Sequence, residues 1–439
     1  MSKPTPLSGF PEWLPPQRII EQYAVDRIRR TFELNGFSPI ETRAVEPLDQ
    51  LLRKGETSQE VYVLRRLQAD ADDASDSGLG LHFDLTVPFA RYVLENAGRL
   101  TFPFRRYQIQ KAWRGERPQV GRYREFLQAD IDVVDRDTLP FHYDVEMALV
   151  AADALAGLPL PPVRIRTNNR KICEGFYLGL GIPDPSAALR AVDKLDKIGP
   201  SGIVELLVAT AGATEAQAKA CLALGEITSA DPGFAEQVTK LGVSDPMLDE
   251  GVAELVAVVE AAREHAKGVV VADLSIARGL DYYTGTVYEI ALEGFGSSVG
   301  AGGRYDNLAS AGDERYPGVG ISIGITRLLG VLFGQDALAV SRHVPTCVLV
   351  ALPAEESRGG ANRTAAALRA RGIPVEVSPS AAKFGKQIRY AERRGIPYVW
   401  FPGEPDTVKD IRSGEQVEAA ASSWQPPEAD LWPTVTGSP

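Results

Sequence analysis

The sequence predicts an α+β protein: an antiparallel-sheet domain with a helical insertion, followed by a smaller α/β domain. Apolar and polar residues alternate from residue 105 to 134 on both sides of an arginine-rich loop, which is typical of two antiparallel strands. An Ala- and Leu-rich stretch with helical spacing follows, and strand-like and helix-like segments alternate near the C-terminus.

Length and composition restrict the classes of protein. The chain has 439 residues, enough for roughly three folding units, and its 44% apolar and 24% charged residues are typical of globular proteins. With 47 basic and 58 acidic residues its net charge is −11, so any nucleic-acid surface must be a local patch. The sequence shows neither a signal peptide nor an 18-residue apolar run, and we expect a cytoplasmic protein with no membrane association.

Cysteine and acidic residues give no metal signal. The widely spaced Cys173, Cys221 and Cys347 form neither a metal knuckle nor a disulfide framework, and we expect no protein-bound structural metal. The acidic segment 70–76 lacks the glycine and glutamate that a calcium loop requires, which favours a solvated turn.

The predicted elements follow in chain order. Three-and-four apolar spacing predicts a helix from Pro15 to a stop at Asn35-Gly36, and residues 61–67 resemble a hairpin arm. The helical insertion is expected at about residues 176–262. Strands are then predicted at 269–292, 298–308 and 318–325, with a helix at 326–333.

The C-terminal α/β domain is expected at residues 343–424. Its predicted elements are a strand at 347–352, a helix at 361–371, a strand at 375–377, a helix at 382–394 and a strand at 398–401. Residues 425–439, rich in proline and without periodicity, are predicted to be a flexible tail.

The strongest chemical signal is W-R-G-E-R-P-Q-V-G-R-Y-R-E-F at residues 113–126. Guanidinium groups match phosphate oxygens, and an aromatic ring can stack on a base, so the segment suits a nucleotide. Taken alone, it is explained equally well as a salt-bridged surface hairpin.

This segment resembles motif 2 of the class II aminoacyl-tRNA synthetases, in the form found in the histidyl-tRNA synthetase family. Further segments match that family in the same order along nearly the whole chain. They are residues 9–15, D-L-T-V-P-F-A-R at 84–91, A-R-G-L-D-Y-Y-T-G at 277–285, A-G-G-R-Y-D at 301–306 and G-V-G-I-S-I-G-I-T-R at 318–327. The resemblance implies a class II catalytic domain over residues 1–335 and an anticodon-binding domain over residues 343–424.

The resemblance implies how ATP, a substrate used with Mg²⁺, is bound. Arg114 is expected to hold the α-phosphate, Glu116 to accept from the adenine amino group, and Phe126 to stack on the base. Arg327 is expected to cover the other face of the adenine and reach the γ-phosphate. Arg114 and Arg278 are the expected catalytic residues, two cations on opposite sides of the reacting phosphorus.

The resemblance also assigns the histidine pocket. Asp132 and Tyr283 match the positions that pair the two imidazole nitrogens, although the family often carries glutamate at position 132. Asp84, Thr86 and Gln128 match the acceptors of the α-amino group.

Two regions are expected to contact tRNA(His). In the motif 2 loop, Arg117 and Gln119 match positions near the acceptor end. In the C-terminal domain, basic residues fall within an arc of about 140° at 100° per residue, which is also the pattern of a solvated stripe. These residues are Lys383, Lys386, Arg389, Arg393 and Arg394.

The family's motif 1 proline is replaced by Arg43, in the element expected to build a homodimer. The resemblance implies activation of L-histidine with ATP to histidyl-adenylate and pyrophosphate, then transfer of histidine to the 3′ end of tRNA(His). One alternative is a non-catalytic histidine-binding regulatory paralogue similar to the ATP phosphoribosyltransferase regulatory subunit. Another is an enzyme that activates histidine for a carrier other than tRNA.

Overall fold

The computed structural model describes residues 4–52, 60–68, 78–119, 121–276, 282–334 and 338–437. The chain divides into two compact units. The first contains Met1–Pro11 and Ala24–Val331, and the second contains Glu12–Tyr23 and Leu332–Pro439.

The helices of the described segments begin and end as follows. They are α1 (Pro15–Leu34), α2 (Leu48–Leu51), α3 (Thr86–Asn96), α4 (His142–Ala156), α5 (Arg170–Gly179), α6 (Pro185–Val192), α7 (Leu195–Ala211), α8 (Glu215–Gly225), α9 (Phe234–Lys240), α10 (Pro246–His265), α11 (Ile325–Gly334), α12 (Arg358–Arg369), α13 (Phe384–Arg394) and α14 (Glu428–Leu431). None of these helices is long and apolar enough to cross a membrane.

The strands of the same segments are mostly short. They are β1 (Ser38–Pro39), β2 (Val45–Pro47), β3 (Val63–Leu64), β4 (Leu79–Leu81), β5 (Phe104–Trp113), β6 (Glu125–Val134), β7 (Val163–Asn169), β8 (Thr228–Ser229), β9 (Val270–Asp273), β10 (Thr286–Leu292), β11 (Gly300–Tyr305), β12 (Ser310–Ala311), β13 (Glu314–Arg315), β14 (Gly318–Gly324), β15 (Leu338–Val340), β16 (Val348–Val350), β17 (Val375–Val377), β18 (Tyr398–Phe401), β19 (Thr407–Asp410), β20 (Gln416–Glu418) and β21 (Val435–Gly437).

A large sheet organises the first unit. Within the described residues it has nine strands in the order β1-β5-β6-β14-β11-β10-β7-β9-β8. The pairs β1–β5 and β7–β9 are parallel, and the other neighbouring pairs are antiparallel. Strands β5 and β6 are paired from Phe104↔Val134 to Trp113↔Glu125, with the arginine-rich loop between them. The predicted antiparallel-rich α+β fold is therefore confirmed.

The insertion predicted at about residues 176–262 lies within the helical run α5 to α10. Asp184 and Asp245 accept backbone N–H groups at the starts of α6 and α10, each followed by proline in the first turn. Helices α5 and α10 approach closely at Gly175, where only glycine fits: a Cβ there would lie 2.3 Å from the Leu248 nitrogen. Their shared core buries Phe176 and Leu255 completely.

The second unit contains a five-stranded sheet within its described residues, in the order β17-β16-β18-β19-β20. Strands β17, β16 and β18 are parallel, as predicted, and β19 and β20 add antiparallel edges. Gln387 fixes α13 to this sheet, since its amide accepts from the Leu352 nitrogen (2.9 Å) and donates to the Leu352 oxygen (2.8 Å).

The structure differs from the prediction of a flexible tail at residues 425–439. This segment contains α14 and β21, and β21 pairs with β15 from Leu338↔Gly437 to Val340↔Val435. Arg342 donates to the Asp430 and Leu431 carbonyl oxygens, both at 2.8 Å. A four-residue helix and a three-residue strand are too short to produce a periodic sequence pattern.

Candidate active site

A cavity of about 290 Å³ lies in the first unit and brings the predicted substrate-binding residues together. They come from four separate segments: the start of α3, the β5–β6 hairpin, the region before β10 and the start of α11. Those that line the cavity are Asp84, Thr86, Arg114, Glu116, Phe126, Gln128, Asp132, Tyr283 and Arg327.

Two predicted residues of this unit, Arg117 and Gln119, are not on the cavity lining. Arg278 lies in segment 277–281, outside the described residues, so its catalytic role stays a prediction. Arg117 and Gln119 are exposed on the motif 2 loop. The Gln119 and Arg122 backbones bond to each other at 3.1 and 2.9 Å, which holds this part of the loop.

One face of β6 forms a wall of the cavity. Side chains alternate along a strand, so Phe126, Gln128, Asp130 and Asp132 share a face, and all four line the cavity. Asp130 was not predicted as a site residue, although it lies two positions from both Gln128 and Asp132 and therefore on the same strand face. Strand β14 leaves room opposite, because a Cβ on Gly320 would lie 2.1 Å from Asp132 Oδ1.

Asp132 is buried, and both of its oxygens contact protein donors. Tyr305 donates its hydroxyl to Asp132 Oδ1 at 2.6 Å, and Arg106 Nη2 lies 2.5 Å from Asp132 Oδ2. Arg106 is itself buried, with its guanidinium carbon 4.2 Å from the centre of the Phe89 ring. The cation compensates the charge of a carboxylate that has little access to water.

Neither Arg106 nor Tyr305 was predicted as a site residue. The signal for Arg106 is its place in the hairpin register, directly opposite Asp132. Tyr305 is the fifth residue of the A-G-G-R-Y-D segment and lies opposite a glycine on the next strand: a Cβ on Gly318 would lie 2.5 Å from its ring. Burial, reinforced by Asp132, raises the pKa of Tyr305 well above its usual value, so it keeps the proton that it donates.

Tyr283 lies beside Tyr282, with ring centres 4.0 Å apart. A Cβ on Gly303 would lie 2.7 Å from Tyr283 Cδ1, so the tyrosine packs directly on bare backbone. Tyr282 also lines the cavity. Burial raises the pKa of Tyr282, so this residue carries its proton at neutral pH.

The residues predicted for the amino group are held by short polar contacts. Asp84 Oδ1 accepts from the Val87 nitrogen at 3.0 Å, at the start of α3. Gln128 Nε2 donates to Ser322 Oγ at 2.5 Å, and Ser322 Oγ donates to Asp130 Oδ1 at 2.5 Å. Gln128 Oε1 is buried and has no hydrogen-bond partner among the described residues.

Asp130 is a buried acid with an unusual pKa. Its pKa is raised to about 7. Burial is the largest cause and the carboxylates of Asp132 and Asp84 act in the same direction, while Arg106 and the Ser322 hydroxyl oppose the rise. With Asp84, Asp130 and Asp132 on its lining, this end of the cavity suits a cationic ammonium group.

Arginines and an aromatic ring line the part of the cavity that is predicted to bind the nucleotide. Arg114 Nε donates to the Phe83 oxygen at 3.0 Å, which places its guanidinium carbon 5.2 Å from the centre of the Phe126 ring. Glu116 Oε2 forms an ion pair with Arg122, a lining residue that was not predicted.

The start of α11 is tied to the same hairpin. Thr326 Oγ1 accepts from the Leu127 nitrogen at 2.7 Å, which fixes the backbone next to Arg327. Among the described residues there is no cluster of three or more His, Cys, Asp and Glu side chains able to hold a metal ion.

The second unit presents part of the predicted basic face. Lys383, Lys386 and Arg389 are exposed at or on α13. Arg394, which the spacing placed on the same face, instead pairs with Glu376 at 3.0 Å and lies over the Tyr390 ring.

Comparisons with known proteins agree with this geometry. The family model described as histidyl-tRNA synthetase matches residues 9–328, and that described as an anticodon binding domain matches residues 346–423. A histidine–tRNA ligase of Cutibacterium acnes is 56% identical, with 100% of each chain covered. A ligase of Micrococcus luteus is 55% identical, with 99% of each chain covered.

Solved structures show the same fold. A histidyl-tRNA synthetase from Nostoc sp. PCC 7120 has a TM-score of 0.84 and 34% identity, covering 96% of this chain and 97% of that chain. The full-length ligase relatives favour the ligase over the regulatory alternative. This chain belongs to the histidyl-tRNA synthetase family.

Proposed function

We propose that this histidine–tRNA ligase binds histidine and ATP side by side in the described cavity, with Asp132 and Tyr283 at the imidazole and Arg114 at the α-phosphate. The observation that supports this is the convergence of residues from distant sequence segments on one cavity. A carboxylate-lined end and an arginine-lined end suit the ammonium group of one substrate and the phosphates of the other.

The activation step needs cations more than a strong base. The histidine carboxylate attacks the α-phosphorus in line while pyrophosphate leaves, and negative charge grows on the phosphoryl oxygens. Arg114 would stabilise that charge, with Arg278 as the second cation. Losing one such donor typically costs on the order of 10² to 10³ in rate.

The base and triphosphate would use the nucleotide end of the cavity. Adenine would stack on Phe126, with Arg327 over its other face, and its amino group would donate to Glu116. Because Glu116 pairs with Arg122, nucleotide binding would share or replace that ion pair. ATP would enter with Mg²⁺ on its phosphates, and we assign the ion no protein ligands.

Selection of histidine would depend on Asp132 and Tyr283. The Asp132 carboxylate can accept from one imidazole N–H, while Tyr283 pairs with the other nitrogen. An amino acid without these nitrogens would leave buried polar groups unpaired, which is a strong basis for rejection. Asp84, Thr86 and the Gln128 oxygen would accept from the α-ammonium group.

Transfer to tRNA(His) would use both units. Arg117 and Gln119 would lie near the acceptor end, and Lys383, Lys386 and Arg389 would contact the anticodon region through phosphates. Their exposure supports this assignment.

We also propose a cytoplasmic homodimer. Apolar side chains are exposed in and beside the small sheet β2-β4-β3, namely Leu52 (45%), Val63 (59%) and Leu79 (42%). Arg43 pairs there with the buried Glu46 at 3.1 Å, which accommodates an arginine where the family carries proline. Sedimentation at increasing protein concentration tests the dimer, which a purely monomeric species would contradict.

The test of the function is histidine-dependent exchange of labelled pyrophosphate into ATP. The wild-type enzyme is expected to exchange, and Asp132→Asn to lower kcat/KM for histidine about 10- to 100-fold, because a charged acceptor is lost. Asp153→Asn, a matched change at a partly exposed residue that bonds His265, should behave as wild type. Absence of exchange in the wild type would instead favour the regulatory alternative.

A further inference from the structure

Three side chains on two neighbouring strands form a chain of hydrogen bonds beside the amino-acid end of the cavity. Gln128 and Asp130 lie on β6, and Ser322 lies on β14 directly opposite Asp130. The Ser322 oxygen contacts Gln128 Nε2 and Asp130 Oδ1, each at 2.5 Å. Ser322 and Asp130 match none of the residues assigned to a substrate.

The direction of these bonds follows from what each group can donate. An ionised carboxylate only accepts, so Asp130 takes the single hydroxyl hydrogen of Ser322. The Ser322 oxygen then accepts, and the only group of the Gln128 amide that can donate to it is the NH₂. The Gln128 amide oxygen therefore points away from Ser322.

That oxygen is the atom with an unmet hydrogen-bonding requirement. Gln128 is 7% exposed and lines the cavity, and its Oε1 has no partner among the described residues. A buried carbonyl oxygen without a donor is costly, and a cationic N–H group from a ligand would satisfy it.

We propose that Ser322 and Asp130 are positioning residues that hold the Gln128 amide so that its oxygen accepts from the α-ammonium group of histidine. This inference rests on the proposed role of Gln128. Since an amide can rotate by half a turn without changing shape, nothing in its size prevents the NH₂ from facing the ammonium group. The Ser322–Asp130 pair removes that orientation.

The test measures KM for histidine by pyrophosphate exchange at about pH 8, where Asp130 is mostly ionised, for Ser322→Ala, Gln128→Ala and the double variant. We expect Ser322→Ala to raise KM for histidine about tenfold, with KM for ATP unchanged. If Ser322 acts through Gln128, Ser322→Ala should cause no further rise in the Gln128→Ala background. Independent, multiplicative effects would overturn the inference.

A second variant covers the possibility that Ser322→Ala folds poorly. Asp130→Asn replaces a carboxylate that only accepts with an amide that can also donate to the Ser322 oxygen, so the serine hydrogen is no longer fixed in one direction. Its effect on KM for histidine should also vanish in the Gln128→Ala background. Ser322→Thr, which keeps the hydroxyl, should restore KM towards the wild-type value. A Thr variant as impaired as the Ala variant would contradict a role for the hydroxyl.

An analogue separates orientation of the amide from general damage to the pocket. 3-(Imidazol-4-yl)propionate lacks the amino group, so its inhibition constant should change less than about twofold in Ser322→Ala. Equal weakening of this analogue and of histidine would overturn the inference. Failure of the wild-type enzyme to exchange at all would instead contradict the proposed function, so the two failures are distinguishable.

Discussion

At the scale of single residues, the buried ion pair of Arg106 and Asp132 fixes the part of the cavity that we propose binds the imidazole. Asp132 has a shorter side chain than the glutamate common in the family, and it contacts Arg106 on one oxygen and Tyr305 on the other. A carboxylate held in this way has little freedom to move towards or away from a ligand. Its position therefore depends on Arg106, a residue that has no place on the cavity lining.

Arg106→Met should destabilise the protein strongly. Removal of the cation leaves a buried carboxylate without compensation, which typically costs about 3–5 kcal/mol of the free energy of unfolding. Urea unfolding followed by circular dichroism measures this loss. Arg106→Met combined with Asp132→Asn should recover part of it, since the uncompensated charge is gone. A double variant less stable than Arg106→Met would show that the pair is not the cause.

The pKa of Asp130 predicts how stability depends on pH. Because burial raises this pKa from near 4 to about 7, the folded protein binds more protons than the unfolded chain between these values. The free energy of unfolding should therefore fall as pH rises from 4 to 7, by up to about 4 kcal/mol from this group. Asn does not titrate in this range. The free energy of unfolding of the wild type minus that of Asp130→Asn should therefore decrease from pH 4 to 7. A constant difference would contradict the raised pKa.

At the scale of elements, the glycine-rich strands β14 and β11, which follow β6 in the sheet order, determine where side chains have room. Gly320 faces Asp132 across β6–β14, and Gly303 lies against the Tyr283 ring. Because these glycines have no side chains, the Asp132 carboxylate and the Tyr283 ring can occupy the space next to their backbone.

Gly320→Ala should displace Asp132, because the new Cβ would lie 2.1 Å from Oδ1. We expect KM for histidine to rise at least tenfold, and overpacking to reduce stability by about 1–3 kcal/mol. Pyrophosphate exchange and urea unfolding measure the two effects. Gly98→Ala is the control, since no atom lies within 4 Å of its added Cβ. Normal histidine kinetics in Gly320→Ala would mean that Asp132 can move without consequence.

Long elements were predictable from sequence where their periodicity extends over several turns or pleats. Strands β5 and β6 have ten residues each, and apolar and polar residues alternate along part of each strand, most clearly over residues 127–133. Helix α1 ends before Gly36, whose φ of 77° suits glycine. Strand β21 has three residues and is defined by a partner almost a hundred positions away, which local patterns do not reveal.

The site shows the same division. Motif positions such as Arg114 and Gln128 were predictable from resemblance. Arg106, Tyr305 and Ser322 were not, because they act through contacts between strands that are adjacent only after the sheet forms.

At the scale of the whole molecule, the two reactions should depend on the two units to different extents. Amino-acid activation would need only the first unit's cavity, whereas charging would also need the basic residues of the second. The two reactions are thus expected to respond differently to surface charge on α13.

Lys386→Ala combined with Arg389→Ala should raise KM for tRNA while pyrophosphate exchange stays unchanged. Each lost phosphate contact should also reduce the dependence of log K for tRNA on log salt by roughly 0.7 to 0.9. Filter binding at several salt concentrations measures this slope. Arg358→Ala, in the same unit and paired with Glu355 at 2.8 Å, is the matched control. An unchanged slope in the double variant would remove α13 from the tRNA surface.

The bare main chain of β11 and β14 also bears on how readily this enzyme could acquire a different amino-acid preference. A methyl group at Gly300, Gly302 or Gly318 would lie within 2.6 Å of another atom. Substitutions at these positions would therefore cause steric clashes and would not change the shape of the cavity in small steps. Productive variation is left to β6 and the helix starts. Libraries for altered substrate choice should be concentrated there, with the glycine strands kept constant.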